Sequence, residues 1–420
     1  MEEIIKETIQ EEKVFKMGFI HKKDTVYWKA ISSLFLGSFV TFASLYCTQP
    51  LIPLFSQQFQ VSPALASLSV SLTTELMSFF MLVVSWVSDA KGRKLIMGIS
   101  LLLSAMLEIV IALSNNFTSL LVLRALQGIT LAGYPAIAMV YITEEFEPAT
   151  SGLVMGIYIS GNSIGGLTGR MLIGALTDLF SWHIALVFIG VISLFAGIWF
   201  WLNLPDSRNF SPRPRVITDM LSVLWRTAKQ PSLLILFIMG FLVMGGFVTF
   251  YNYIGYPLMA PPYNLSQTLV GFIFVAYLVG TFSSTWMGNL ADHIGRPKVA
   301  CLSICIMLAG CLVTLFLNLY LKIAGVAIFT FGFFGSYSVV SSWVGQCAKT
   351  DKAQASSLYL LFHYTGASVI GAWGGRFLSS YGWNGVVMLT AAALILALML
   401  LSVFFSGSMR RKENQNVAAC

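Results

Sequence analysis

The chain has 420 residues, of which 57% are hydrophobic and only 10% charged. A soluble domain carries roughly 25% charged residues, so this chain cannot cover a water-facing surface and reads as a membrane protein. Its net charge of +7 would suggest an acidic partner in a soluble chain; here the distribution of that charge along the sequence points to topology, and no nucleic-acid partner is expected.

Residues 1–28 are polar and charged, with no short apolar core before a small-residue cleavage site, so they read as a cytoplasmic tail and not a secretory signal. Apolar runs of the roughly 20 residues needed to span a bilayer then recur at about 30–55, 62–88, 95–114, 118–143, 150–177, 183–204, 232–257, 269–290, 299–318, 321–345, 355–380 and 384–406. With the N-terminus placed inside, 21 of the 25 Lys and Arg fall in inside segments and Lys322 alone in an outside loop, while Arg124, Arg170 and Arg376 lie within the runs. Positive residues stay on the cytoplasmic side, so both termini are expected there. The stretch 205–231 holds Pro205, Pro212, Pro214 and Pro231 with five basic residues, and reads as a cytoplasmic linker; 216–229 has the spacing of a short surface helix. The domain reading is therefore two six-helix bundles, 29–204 and 232–406, with a cytoplasmic tail at 407–420.

The two halves repeat. Asp89-Ala90-Lys91-Gly92-Arg93-Lys94 returns 203 positions later as Asp292-His293-Ile294-Gly295-Arg296-Pro297. Each is a short polar hinge between two apolar runs, where Gly92 and Gly295 permit a tight reversal. Gly165-Gly166-Leu167-Thr168-Gly169-Arg170 is matched by Gly371-Ala372-Trp373-Gly374-Gly375-Arg376 at an offset of 206. A duplicated chain this hydrophobic suggests halves that move against each other around a site between them. Arg170 and Arg376 then occupy matching places, where they would attract an anionic substrate or brace the bundle interface through carbonyl bonds; the adjoining Gly169 and Gly375 favour bracing.

The segment Gly288-Asn289-Leu290-Ala291-Asp292-His293-Ile294-Gly295-Arg296 resembles the cytoplasmic signature of the major facilitator superfamily, Gly-x-x-x-Asp-(Arg/Lys)-x-Gly-Arg-(Arg/Lys). The first copy keeps Asp89, Gly92, Arg93 and Lys94 but has Ser85 and Ala90 at two signature positions. Arg124-Ala125-Leu126-Gln127-Gly128 is similar to the family's Arg-x-x-Gln-Gly. Gly152, Gly161, Gly165 and Gly169 are similar to its antiporter pattern, with Gly166 where that pattern has a kinking Pro and Arg170 where it has a last Gly. Tyr46-Cys47-Thr48-Gln49-Pro50-Leu51-Ile52-Pro53 looks like the first-helix pattern of the same branch. The resemblance implies the major facilitator fold: an all-α membrane protein with twelve transmembrane helices in two pseudo-symmetric bundles around a central cavity. It implies secondary transport with no cofactor, and membership of the drug:proton antiporter or sugar-efflux branch. Asp89, Gly92, Arg93, Asp292, Gly295 and Arg296 would form the cytoplasmic gate, and Gly161, Gly165, Gly169, Arg170, Gly375 and Arg376 the bundle interface and cavity.

Buried ionisable residues are costly in a bilayer unless they face protein or water. Arg124, with Gln127, Tyr134 and Tyr141 at seven-residue steps, reads as a polar seam on a cavity-lining helix, or else as structural bonding to carbonyls. Ser67, Ser71, Glu75, Ser78 and Ser85 share one stripe of the second helix, which makes Glu75 the candidate proton carrier, with Arg124 or His363 as partner. His363 alone on the eleventh helix reads more readily as packing. Glu108 ranks below these, since the third helix is peripheral in the resembled fold. The six cysteines show no disulfide or metal-type spacing, and no nucleotide loop is present. The sequence thus points to a monomeric transporter, not an enzyme, in the bacterial inner membrane, exporting a small organic molecule in exchange for protons. The competing readings are a proton-coupled importer of a sugar or organic acid, and a non-transporting receptor or scaffold.

Overall fold

A computed structural model describes residues 18–209, 225–348 and 352–417, without the side chains of Asp89, 352–353 and 403–417. Among these residues there is no strand, only a bridge between Ile20 and Phe146. Ten helices are long and apolar enough to cross a membrane. They are α1 (Tyr27–Tyr46), α2 (Pro63–Lys91), α3 (Arg93–Ile111), α4 (Phe117–Glu145), α6 (Trp182–Asn203), α7 (Pro231–Met259), α8 (Gln267–Ile294), α9 (Arg296–Val313), α10 (Leu319–Cys347) and the long helix beginning at Lys352. That last helix breaks at Gly382, where φ is +60°, into α11 (352–381) and α12 (from 383). Helix α5 (Pro148–Leu179) is 32 residues long but too rich in Gly, Ser and Thr to read as apolar by composition alone. With it, the described chain has twelve spans, six before the linker and six after.

Two faces are distinguished by how helices start. On one face α3 and α9 leave directly from Gly92 (φ +102°) and Gly295 (φ +92°), and α5, α7 and α9 begin with Pro in their first turn. We call this the hinge face. On the opposite, far face the helix starts carry side-chain caps: Ser62, Asn116, Ser181, Ser266 and Asn318 accept from the first-turn amides of α2, α4, α6, α8 and α10. Such caps satisfy amides that the helix leaves without partners. The first apolar run ends earlier than its composition suggests, at Tyr46, because Pro50 and Pro53 force a turn before a short helix, Ile52–Gln58.

Each half has helix crossings closer than a side chain allows, and one of them is equivalent in the two halves. A Cβ on Gly165 of α5 would collide with the Phe39 carbonyl of α1, and one on Gly366 of α11 with the Phe241 carbonyl of α7. These two glycines are the true counterparts, 201 positions apart. The sequence match at an offset of 206 does not follow the packing, and it fails because glycine recurs so often on both helices. Arg170 is therefore buried at 2% exposure, whereas Arg376 is exposed, and the expected symmetric pair does not exist. Large apolar side chains such as Phe195, Leu278 and Phe282 are exposed on the surface that lipid covers.

Candidate functional site

Arg124 on α4 is fully buried. It donates to the carbonyls of Ser69 (2.8 Å), Ser44 (2.9 Å) and Leu45 (2.8 Å) and to Gln127 Oε1 (2.6 Å). Gln127 in turn donates to Glu108 of α3, which also accepts from Cys47 Sγ at 3.1 Å. A guanidinium at a helix centre costs about 2.5–3.5 kcal/mol on insertion scales; this set of charge-assisted bonds offsets it while tying α1, α2, α3 and α4 together. Tyr134 is likewise internal: its hydroxyl donates to the Leu34 carbonyl at 2.7 Å, over the space that Gly37 leaves free. So Arg124, Gln127 and Tyr134 belong to the interior of the first bundle and stand in the wall of neither cavity described below. Glu108, ranked low from sequence, is the acid of this network.

Between the bundles lies a cavity of about 170 Å³. Arg170 of α5 stands in its wall, with Nε donating to Gln49 Oε1 (2.8 Å) and Nη1 to the Gly166 carbonyl (2.6 Å). The guanidinium lies over the rings of Tyr46 at 4.2 Å, Phe274 at 4.7 Å and Tyr277 at 5.1 Å. Tyr46 belongs to α1; the other two come from α8 in the opposite bundle. Phe274 sits in a short 3₁₀ turn, Ile273–Val275, within α8, a local tightening that often marks functional positions. A desolvated cation–π contact contributes about 2 kcal/mol. His363 closes another side of the cavity, its ring tilted 34° against Tyr337 (4.8 Å) and Tyr359 (5.6 Å), and its Nδ1 is buried with no hydrogen-bond partner among the described residues.

The bundles meet on the far side of this cavity. Gln49 Nε2 donates to Asn252 Oδ1 at 2.8 Å, Gln267 Nε2 to the Pro50 carbonyl at 2.5 Å, and Ser368 to the Ser71 carbonyl at 2.7 Å. Asp178, at the end of α5, accepts from the backbone amides of Gln267 (3.2 Å) and Thr268 (2.6 Å), so one bundle caps the first turn of α8 in the other. Helices α5 and α8 touch through glycines: a Cβ on Gly174 would lie 2.7 Å from the Gln267 carbonyl, and one on Gly271 2.9 Å from the Arg170 carbonyl. Glu75 of α2 belongs to the same seam, since its Oε1 accepts from Thr365 Oγ1 of α11 at 3.1 Å while Oε2 is buried with no partner among the described residues. Neither Arg124 nor His363 is its partner; Thr365 is.

Toward the hinge face the bundles separate around a larger cavity of about 450 Å³, with Ser78, Ser85, Val140, Glu144, Gln354 and Leu360 in its wall. Tyr364 stands in the walls of both cavities. The hinge residues are tied within their own bundles. Arg93 grips Glu144 with two bonds (3.1 and 3.0 Å) and donates to Ser88 at 3.2 Å. Arg296 pairs with Asp292 at 3.1 Å and donates to Gln346 at 2.7 Å. The Asp89 side chain lies outside the described residues. Gly161 and Gly169 pack on α1, against the Phe35 carbonyl (2.8 Å from a Cβ there) and Ala43 Cα (2.7 Å), and Gly375 packs on Ala64 at the start of α2. Sequence reasoning missed Gln49, Asn252 and the three rings around Arg170. The signal for the first two was available: they stand 203 positions apart, the spacing of the hinges.

The family model described as Major Facilitator Superfamily matches the chain twice, over residues 34–256 and 247–419. The chain is 46% identical over 400 residues to the MFS-type transporter YybF of Bacillus subtilis, covering 95% of this chain and 99% of that one. It is 43% identical over 385 residues to the inner membrane transport protein YnfM of Escherichia coli, covering 91% and 92%. Among solved structures it resembles the nucleoside transporter NupG with a TM-score of 0.74 and 14% identity, over 89% of this chain and 100% of that one, a likeness of fold.

Proposed function

Since the chain belongs to the major facilitator superfamily and is a multi-pass membrane transporter, not an enzyme, we propose that it exports a small organic molecule in exchange for protons by alternating access. One observation carries this reading: the cavity beside Arg170 lies between a far face where the bundles are hydrogen-bonded together and a hinge face where they stand apart. In this reading the hinge face is cytoplasmic, as are both termini, in accord with the placement of Lys and Arg. Residues 29–204 and 232–406 rock as units on the linker 205–231, and the structure is the inward-open member of the cycle. Arg93 and Arg296 then exchange their partners when the hinge face closes. Export is supported by the run of α5 glycines packed on α1, the feature that resembles the antiporter pattern.

Glu75 is the proton carrier in this scheme. Its carboxyl is held between the bundles by Thr365, so parting of the far face exposes it to outside water, where it takes up a proton. Ser78, on the next turn and in the wall of the hinge-side cavity, donates to the Glu75 backbone carbonyl, and the proton leaves toward that cavity as substrate binds. The test is flux in proteoliposomes under an imposed pH gradient. Glu75→Gln should abolish pH-driven accumulation while leaving exchange without a gradient. Undiminished pH-driven transport by that variant removes the assignment.

A further inference from the structure

Resting on that reading of the cavity as the substrate site, we propose that its substrate is a small organic anion: a carboxylate on a flat apolar body, with the carboxylate seated on Arg170. Three observations lead there. Arg170 uses Nε and Nη1 on Gln49 and Gly166, and its Nη2 makes no hydrogen bond among the described residues, although the side chain stands in the cavity wall. No acidic residue shares that wall, so the guanidinium has rings around it but no counter-charge. A buried cation without a carboxylate is an incomplete pair, and a ligand carboxylate completes it with the short, charge-assisted geometry that guanidinium favours.

The rest of the wall sets the body of the ligand. Phe42, Phe247, Phe333, Tyr337 and Tyr364 line it with aromatic rings, and Phe247 and Phe333 are stacked on each other at 3.6 Å. His363 lines the same wall. At about 170 Å³ the space is below the roughly 300–1,000 Å³ of a drug-sized site, which favours a single ring over a multi-ring drug. Anion binding also gives Arg170 a role in the cycle. The rings of α8 that stack on it belong to the other bundle, so filling the charge changes a contact between the moving parts.

The test is a charge series of one shape: benzoate, benzamide and benzamidine, measured by equilibrium dialysis with the full-length protein in nanodiscs. Benzoate should bind best, by on the order of tenfold or more over benzamide, the difference a charged hydrogen bond makes, and benzamidine should bind worst. Arg170→Gln should erase the preference for benzoate, whereas Arg170→Lys should retain part of it. Equal or better binding of benzamidine, no saturable binding of benzoate, or an unchanged preference in Arg170→Gln would each overturn the proposal. The wild-type series decides even if the variants fail to fold. Flux is measured separately. Benzoate binding without transport of any member keeps the anion site on Arg170 but removes its reading as the substrate site; transport of benzamidine without benzoate binding keeps the substrate-site reading and removes the anion.

Discussion

Helices α1 and α4 of the first bundle are joined by a guanidinium, with Arg124 bonded to the Ser44 and Leu45 carbonyls and through Gln127 to Glu108. The counterpart pair in the second bundle, α7 and α10, is joined by rings: Phe247 on Phe333 at 3.6 Å, Phe250 on Phe329 at 4.0 Å, with a polar tie from Tyr251 to Thr330 at 2.5 Å. The backbone plan is shared and the chemistry of cohesion is not. Between lipid-solvated helices there is little hydrophobic drive for association, so either packing or hydrogen bonding has to hold them, and each half uses a different one. The two should fail differently. A polar network depends on every member, because each loss leaves a buried partner unmet, whereas stacked rings lose contacts a few at a time.

The largest effect expected is therefore in the first bundle. Arg124→Met removes the charge and leaves Glu108 buried with a weakened partner, a loss of about 3–5 kcal/mol. It should appear as a large fall in the midpoint of thermal unfolding in detergent. Adding Glu108→Met should recover part of it, since an apolar replacement of both partners is often neutral. An Arg124→Met protein as stable as the parent would show that the network does not hold α1 to α4. The matching change in the second bundle, Phe333→Leu, should cost about 0.5–1.5 kcal/mol for its closest ring contact, Phe247, with its three wider ring contacts adding less, and shift the same midpoint less. A larger loss there than for Arg124→Met would invert the comparison.

The same contrast explains what could be read from the sequence. Helix number and the duplicated hinge were legible because they rest on apolar length and on glycines that need positive φ, both local properties. Glu75 stood out since a carboxylate in a serine stripe is a local anomaly, though its partner Thr365 lies 290 positions away and no periodicity points to it. Glu108 was ranked low because a lone acid on a peripheral helix shows nothing of Gln127 beside it. The pairing of Arg170 with Arg376 failed for a related reason: glycine-rich helices match each other at several offsets, and only the close approach of Gly165 to Phe39 and Gly366 to Phe241 fixes the register. The box around Arg170 takes rings from α1 and α8, so it exists only after the bundles meet.

Gln49 and Asn252 bring the comparison to its finest point. They stand 203 positions apart, the spacing of the hinges, and bond to each other across the far face, yet Gln49 also accepts from Arg170 Nε while Asn252 Nδ2 has no partner among the described residues. One amide thus has two tasks and the other one. Replacing either with Ala removes the seam bond, worth about 1 kcal/mol net, so both variants should shift the balance toward a parted far face by roughly fivefold. Spin labels on the exposed loop positions Gln60 and Ala260 would report that shift as a longer distance population. Only Gln49→Ala should also loosen Arg170 and weaken ligand binding in the cavity, because Asn252→Ala leaves the guanidinium's own bonds in place. An equal loss of binding in both variants would mean that the cavity senses closure of the far face as a whole, and that Gln49 does not connect the two.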